Sequence, residues 1–196
     1  MLNIENFETK FNKIVESEQW KELESAFKSA THVYFFGNGG NLAIADHAAI
    51  DVSRLTNKNA MSPGSGITTT SIIGDTNAKS WIKTWLEYRA RGIDPKNCLA
   101  IGFSCSTSGT SSEAVVCALD HAESQGMASA LITAQPKNNI GKNTVVVSQN
   151  VSMYHTSEIL SLALTYQLTH SAGFECPSIF QKAEDREKLK KAYNNE

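Results

Sequence analysis

The sequence has few cysteines, little excess charge and no long apolar run, and each absence excludes a class of protein. Its four cysteines show neither CxxC spacing nor dense pairing, which predicts reduced thiols in a cytoplasmic protein. A formal net charge of −2 gives no electrostatic basis for binding nucleic acid. No apolar stretch approaches the roughly 18 residues of a membrane span, and the N-terminus lacks the apolar core of a signal peptide. We therefore expect a cytoplasmic protein without nucleic-acid or membrane partners.

The composition is that of a single domain with a full-sized core. The chain has 196 residues, of which 41% are hydrophobic and 19% charged. We divide it into an N-terminal helical segment (1–30), a core (31–172) and a charged C-terminal tail (173–196). The first segment carries apolar residues at helical spacing. That stripe could belong to the core of this chain or could dock a second subunit.

The stretch from Leu99 to Ala118 predicts a strand, a tight turn and a helix. Its apolar run ends in a series of hydroxyl and thiol residues around Gly109, and a helical pattern follows at once. Backbone N–H groups and hydroxyls at a helix N-terminus favour an anion, and phosphate accepts many such hydrogen bonds. The alternative is an ordinary Ser-rich loop that caps a helix.

A second unit of the same kind begins at His32. The β-prone run His32 to Phe36 is followed by GNGGN and then by the helical pattern LAIADHAAIDVSRL. Gly39 and Gly40 permit positive φ and a close approach of backbone to a ligand. By itself this turn could be a plain connection, but two phosphate-binding turns in one domain strengthen each other.

The remaining pattern alternates strands and helices. We expect a loop over 57–66 and further strands over Ile67–Ile73, Ala128–Thr133 and Thr144–Val147. We expect helices over 78–90 and Tyr154–His170, and we expect the helix after the Leu99 strand to run to Gln125 and stop at Gly126. Such alternation indicates an α/β fold with a parallel sheet covered on both faces. Ligands of these sheets bind beyond the carboxyl ends of the strands, where both turns lie.

GNGGNLAIADH (37–47), STSGTS (106–111) and AxxxGM (122–127) together resemble the sugar-isomerase (SIS) domain, and within it the phosphoheptose isomerase group. The resemblance covers about residues 1–172. It implies a three-layer, doubly wound, flavodoxin-like sandwich with a five-stranded parallel sheet, and a homotetramer with active sites at subunit interfaces. It also implies a phosphosugar isomerase that interconverts sedoheptulose 7-phosphate and a glycero-manno-heptose 7-phosphate.

The resemblance assigns substrate contacts to the two turns and to one further pair of residues. Between the second turn and Gly126 this chain has about one residue more than the group, so the register of individual hydroxyls is open. The implied substrate-binding residues are Asn38, Gly39, Gly40, Asn41, Asp75, Thr76, Ser106, Thr107, Ser108, Thr110 and Ser111.

His47 and Asp51 stand four residues apart and therefore on one face of a helix. The resemblance places here a His and a Glu that serves as catalytic base and metal ligand. In this chain the Glu is an Asp, which is one methylene shorter, and a base must come within about 3 Å of its proton. His47 alone would be an ordinary helix histidine. Arg54, one turn on, could steady a sugar phosphate or be a plain surface residue.

The late helix departs from the family. Where the group has a Gln and a His eight apart, this chain has Ser157 or Glu158 and then Thr165 or Tyr166, depending on a one-residue choice of alignment. His155 and Glu158 could compensate as catalytic residues, although Glu158 could equally be a first-turn acid that interacts with the helix dipole. No cofactor is otherwise implied. Zinc is a candidate whose ligands would come from His47, Asp51, Glu158 and His155.

Three functions follow from these residues. The first is an isomerase that works through an enediol, with Asp51 or Glu158 as base and His47 or His155 moving protons between oxygens. The second is a non-catalytic phosphosugar-binding module that serves as a sensor or scaffold for a protein partner. The third is an isomerase or epimerase for another phosphosugar. The absent late His favours the second, and the intact phosphate loops favour the first.

Overall fold

A computed structural model describes residue 4 and residues 6–105, 110–136 and 140–175, without the side chains of Thr110 and Ser111. Its centre is a five-stranded, fully parallel sheet in the order β2-β1-β3-β4-β5. The strands are β1 (His32–Phe36), β2 (Asn59–Met61), β3 (Cys98–Ser104), β4 (Ala128–Thr133) and β5 (Val145–Ser148). The expected three-layer α/β architecture is confirmed.

Seven α-helices and one 3-10 turn (Pro95–Asn97) surround the sheet within the described ranges. The helices are α1 (Phe7–Val15), α2 (Glu18–Ser29), α3 (Gly40–Leu55), α4 (Gly66–Asp75), α5 (Trp81–Arg89), α6 (Thr110–Ser124) and α7 (Tyr154–Ser171). None of these described helices is long and apolar enough to span a bilayer.

The alternation of side chains along the strands produces two cores. In β1, Val33 and Phe35 point to a core shared with α1, α2, α3 and α7, whereas Tyr34 and Phe36 point to one shared with α4, α5 and α6. A strand buries alternate residues on opposite faces, and both faces of this sheet are covered by helices. The five residues of β1 are therefore apolar almost without interruption.

The apolar stripe of the N-terminal segment belongs to the core of this chain. Trp20, Leu23 and Phe27 on α2 are fully buried, and they share a core with β1, β3 and α7. The Ser17 side chain caps α2 by accepting from the Trp20 N–H at 3.2 Å. The sequence left open whether this stripe packs in the core of its own chain or docks a second subunit, and the residues of α2 pack in the core.

The strand expected over Ile67–Ile73 is wrong, because these residues lie in α4. The Ser65 side chain caps the helix, and Ile72 faces the core while Ile67 is 82% exposed. β-Branched residues favour strands only where neighbouring strands and burial support them. The place beside β1 is taken instead by β2, which lies within the expected loop 57–66 and pairs Asn59 with His32.

Gly102 in β3 brings α6 close to the sheet. A Cβ at this position would lie 2.7 Å from Val115 Cγ1 on α6 and 3.1 Å from Phe36 Cε2. Two well-packed side chains would have to move, so we expect Gly102→Ala to lower the free energy of unfolding by about 1–3 kcal/mol. Urea denaturation measures the difference.

Gly74→Ala is the matched control, because a Cβ at Gly74 in α4 meets nothing within 4 Å. Alanine exceeds glycine in helix propensity, so this variant should gain up to about 1 kcal/mol. Equal stability of the two variants would contradict the close approach of α6 to β3.

We expect His121 on α6 to make the stability of the fold depend on pH. Burial lowers the pKa of His121, and the nearby Glu87, with Oε1 3.7 Å from Nδ1, only partly opposes this effect. A histidine whose pKa is lower in the folded than in the unfolded state destabilises the fold once it must be protonated. We expect unfolding temperature to fall as pH drops below about 6.5, and to fall less in His121→Gln. Parallel pH slopes for the two proteins would refute this.

Candidate functional site

The loops that follow β1 and β3 meet at the carboxyl edge of the sheet. The two strands are neighbours in the sheet, so their ends lie side by side. Asn41 Nδ2, at the start of α3, donates a hydrogen bond to Cys105 Sγ at 3.3 Å. Residues 106–109, which include the predicted contacts Ser106, Thr107 and Ser108, lie outside the described residues. Thr110 and Ser111 begin α6 directly after them.

The turn between β1 and α3 requires glycine for two reasons. Gly39 has φ of +58° and ψ of −129°, a conformation that residues with a Cβ rarely adopt. Gly40 lies against the carboxylate of Glu158, since a Cβ on Gly40 would be 2.1 Å from Oε1. The sequence predicted conformational freedom and close approach at these two glycines. The expectation was a ligand close to the backbone here. Within this chain, the group that lies close to the backbone of Gly40 is the side chain of Glu158.

Glu158 therefore lies at the N-terminal end of α3, beside the loop that begins with Asn38. The first backbone N–H groups of a helix have no partner inside the helix. His155 lies one turn earlier on α7 and is half-buried. The described edge thus combines Asn38, Asn41, Cys105 and Glu158, with the start of α6 close by.

A cleft of about 360 Å³ opens beside these residues. Its lining includes Cys105, Gln135, Val151, Met153 and Tyr154. A volume of this size is in the range of small-molecule sites. The cleft extends the loop cluster toward the beginning of α7.

A second cluster lies further along α3 and α7. His47 Nε2 is 3.0 Å from Asp51 Oδ2 and 2.7 Å from Tyr166 Oη. Arg54 Nη2 donates to Asp51 Oδ1 at 2.8 Å. The Asp51 side chain is only 12% exposed, whereas that of His47 is 49% exposed. A buried carboxylate is thus held between a histidine and an arginine.

The two clusters are separate within one chain. Gly40 packs on Glu158 and His47 packs on Tyr166, so α3 and α7 run in the same direction. Seven residues of helix separate Gly40 from His47, which corresponds to about 10 Å at 1.5 Å per residue. The structure therefore brings Glu158 to the loop after β1 and places His47 about two turns and Asp51 about three turns away along α3.

Asp75 and Thr76 are exposed at the end of α4, where the Thr76 hydroxyl donates to the Ile72 carbonyl at 2.6 Å. The connection that follows them is tied to the first turn of α6 by an ion pair between Lys79 Nζ and Glu113 Oε2 at 2.9 Å. This contact brings the segment toward the loop after β3.

The two alignments left open for the late helix name residues on different sides of α7. Glu158 and Tyr166 face α3, whereas Ser157 is buried and its hydroxyl donates to Gln149, and Thr165 bonds the Leu162 carbonyl. Of the residues that the two alignments offered, Glu158 and Tyr166 are thus the ones that contact α3. Sequence reasoning named Tyr166 only as a possible replacement and missed its contact with His47. The available signal was the spacing of eight residues between Glu158 and Tyr166, which places both on one side of a helix.

The described residues do not fit a zinc site. No group of three or more His, Cys, Asp and Glu side chains that could hold a metal occurs in the described ranges. Zinc requires three or four protein ligands at roughly 2.0–2.2 Å from nitrogen or oxygen. His47 and Asp51 are one pair at hydrogen-bond distance, and Glu158 and His155 lie near the other end of the helices. The set of four ligands proposed from the sequence is not assembled.

No protein-family model matches the sequence, and no curated protein sequence matches it either. The fold has clear relatives among solved structures. Phosphoheptose isomerase from Neisseria gonorrhoeae has a TM-score of 0.74 at 16% identity, over 87% of this chain and 92% of that one. A phosphoheptose isomerase from Francisella tularensis has a TM-score of 0.68 at 13% identity, over 84% and 91%.

A regulator shares the fold as well. The sugar isomerase domain of an RpiR transcription factor from Sphaerobacter thermophilus has a TM-score of 0.55 at 17% identity, over 86% of each chain. The protein has the fold of the SIS domain. Its structure is similar, over almost its whole length, to phosphoheptose isomerases.

Proposed function

We propose that this protein is a phosphosugar isomerase that converts sedoheptulose 7-phosphate to a glycero-manno-heptose 7-phosphate in the cytoplasm. The observation that supports this best is the placement of the Glu158 carboxylate against Gly40, in the loop after β1 whose Asn41 contacts Cys105 at the end of β3. A carboxylate beside two loops suited to phosphate is the minimum that an aldose–ketose isomerase needs. The SIS fold and its isomerase relatives agree with this assignment.

The phosphate is the part of the substrate that these loops would bind. The hydroxyls and backbone N–H groups of Ser106, Thr107 and Ser108, and of Thr110 and Ser111 where α6 begins, would bind it, because the dipole of a helix N-terminus attracts an anion. Asn38, Gly39 and Asn41 would contact the sugar from the loop after β1. Asp75 and Thr76 would approach from the end of α4. Binding energy from the phosphate then orients the reacting carbons.

In the reaction, Glu158 removes the proton from the carbon next to the carbonyl and leaves an enediolate. The resulting carboxylic acid exchanges its proton with solvent while the enediolate is bound. It then protonates the neighbouring carbon, so that carbonyl and hydroxyl exchange places. A second group must carry the hydroxyl proton from one oxygen to the other. His47 and His155 are the candidates for that transfer.

A complete site in this proposal needs a second copy of the chain. Within one chain His47 lies about two helical turns from Glu158 and Asp51 about three. The exposed residues of α3 and α7 include Ile50, Ile159 and Tyr166. Exposed apolar residues grouped on adjacent helices favour an interface. We propose a homotetramer in which this face brings His47 to the loops of a neighbour. Sedimentation equilibrium of wild type and Ile50→Asp tests it, and a monomeric wild type would refute it.

A second candidate function is a phosphosugar-binding regulator without activity. The absence of the family's late histidine, in place of which this chain has Thr165 or Tyr166, favours this candidate, and a sugar isomerase domain of a transcription factor has the same fold. Unfolding temperature and turnover, measured with sedoheptulose 7-phosphate and with other ketose phosphates, separate the candidates. Turnover of sedoheptulose 7-phosphate supports the proposal. Turnover of another ketose phosphate alone shows an isomerase with a different substrate, and a raised unfolding temperature without turnover indicates the regulator.

A further inference from the structure

A buried network of hydrogen bonds joins the end of β5 to the first turns of α7. Gln149 follows β5 directly and is 1% exposed. Its Nε2 donates to the Ser157 carbonyl at 3.1 Å and to Ser161 Oγ at 2.8 Å. Its Oε1 accepts from the Ser157 hydroxyl at 2.5 Å. Both serines are also 1% exposed, so this network is shielded from water.

The amide of Gln149 fits this place in one orientation. A carbonyl oxygen only accepts hydrogen bonds, so the amide atom that faces the Ser157 carbonyl must be the nitrogen. The amide oxygen then faces the Ser157 hydroxyl, which turns to donate. Both N–H groups and the oxygen of the amide are thus paired. A buried polar network that is fully paired favours one arrangement of the elements that it joins.

The sheet holds the other end of this network. The backbone N–H of Gln149 donates to the Thr133 carbonyl at 2.9 Å, which continues the pairing of β4 with β5 by one residue. The Val151 N–H then donates to the Ala134 carbonyl at 3.0 Å. Gln149 is therefore anchored on the carboxyl edge of the sheet, and its side chain ties α7 to that edge.

Glu158 is the residue that follows Ser157 on α7. Neighbouring residues of a helix point about 100° apart, so Ser157 faces Gln149 while Glu158 faces α3. A Cβ on Gly40 would lie 2.1 Å from Glu158 Oε1 and 2.6 Å from Glu158 Cδ, which places the carboxylate directly against the backbone at the start of α3. A small rotation or shift of α7 would therefore move this carboxylate off Gly40.

We propose that Gln149 is a positioning residue, which holds the Glu158 carboxylate against Gly40 through its hydrogen bonds to Ser157 and Ser161. It sets the rotation and depth of α7 on the sheet and touches no substrate. Its effect on rate rests on the proposed function, in which Glu158 is the base. The coupling between Gln149 and the position of Glu158 does not rest on that function.

The coupling can be measured without substrate. In protein labelled with ¹⁵N-glycine, Gly40→Ala identifies the amide signal of Gly40 among the twelve glycines. Glu158→Gln should move this signal, because the carboxylate lies against Gly40. Gln149→Met keeps the length of the side chain but removes the amide, and it should move the signal as well. Ser157→Ala should move it less. A Gly40 signal that stays in place in both Gln149→Met and Ser157→Ala would overturn the proposal.

Ser129→Ala is the matched control. Ser129 on β4 is 5% exposed and its Oγ lies 2.8 Å from Thr144 Oγ1, so this variant also breaks a buried contact of a serine hydroxyl. The pair lies at the amino end of β4 and β5, whereas Gln149 lies at the carboxyl end. The Gly40 signal and kcat of Ser129→Ala should match wild type. A shift as large as that in Ser157→Ala would overturn the specific role of Gln149.

Kinetics supply the second measurement. Gln149→Met should lose on the order of 10- to 100-fold in kcat with KM nearly unchanged, because the base is misplaced while the phosphate loops are untouched. In the Glu158→Gln background the same change should cost less than about twofold, since the group that Gln149 positions is already gone. An equal loss in both backgrounds would show general damage to the fold and overturn the proposal. Thermal unfolding checks that each variant is folded at the assay temperature, and Ser157→Ala gives the same comparison if Gln149→Met is not.

The two measurements distinguish failure of this inference from failure of the proposed function. If wild type turns over no ketose phosphate, the isomerase assignment fails and the spectra alone decide the coupling. A Gly40 signal that moves in Gln149→Met but not in Ser129→Ala then still supports the positioning role. A Gly40 signal unmoved by Gln149→Met and by Ser157→Ala overturns it.

Discussion

Replacing Glu158 by glutamine is expected to reduce isomerisation of sedoheptulose 7-phosphate by about 10²- to 10⁴-fold, the usual contribution of a positioned general base. The amide keeps the shape of the side chain against Gly40 but cannot accept the carbon-bound proton. KM should change little, because the phosphate loops are untouched. Steady-state kinetics of purified wild type and Glu158→Gln measure the effect.

Glu22→Gln is the control for this variant. It makes the same change of side chain at an exposed position of α2, in the N-terminal segment and outside the candidate site. It should have wild-type kinetics. If Glu158→Gln retains more than about a tenth of wild-type kcat, Glu158 is not the base.

The second large effect is expected from Gly40→Ala. The added Cβ would lie 2.1 Å from Glu158 Oε1, so the carboxylate must move by about 1 Å to reach van der Waals distance. Misplacing a reacting group by about 1 Å can cost about 100-fold in rate. Stability should hardly change, because the displaced atoms are the far end of a flexible side chain. Kinetics and thermal unfolding together measure the two quantities.

Gly66→Ala is the matched control, because Gly66 is the first residue of α4 as Gly40 is of α3, and a Cβ there meets nothing within 4 Å. Its kinetics should equal those of wild type. The double variant Gly40→Ala, Glu158→Gln should be no slower than Glu158→Gln alone, since both changes remove the same group. Additive losses would show that Gly40 acts through something other than Glu158.

The periodicity of the sequence was enough to predict the layers of the fold. The uninterrupted apolar runs at His32–Phe36 and Leu99–Phe103 indicated strands buried on both faces, and both are confirmed. The helix stop at Gly126 is also confirmed, with φ of +81°. These features depend on local pattern and on backbone conformation, which a single sequence records directly.

Two features depend on tertiary context and were not predictable in the same way. The β-branched run Ile67–Ile73 forms α4, where Ser65 caps the helix and Ile72 packs into the core shared with α5 and α6. The edge strand β2 has only three residues, too few for a recognisable alternation. Its pairing with β1 is visible only in the folded chain.

The candidate site was predicted in its parts but not in its arrangement. The loops at Asn41 and Cys105 meet as expected, and His47 and Asp51 share a helix face. The contact of Glu158 with Gly40 and that of Tyr166 with His47 both join residues more than a hundred positions apart. Contacts of this kind depend on how α7 packs on α3, which spacing along one helix does not determine.

Incorporation of solvent deuterium into the sugar tests the central claim most directly, namely that a carboxylate at the sheet edge removes a proton next to the carbonyl. Wild type in deuterated water with sedoheptulose 7-phosphate should give aldose that carries deuterium at C2, detected by NMR, and Glu158→Gln should lose this incorporation. Aldose formed without deuterium in wild type, or equal incorporation by the two proteins, would contradict the account.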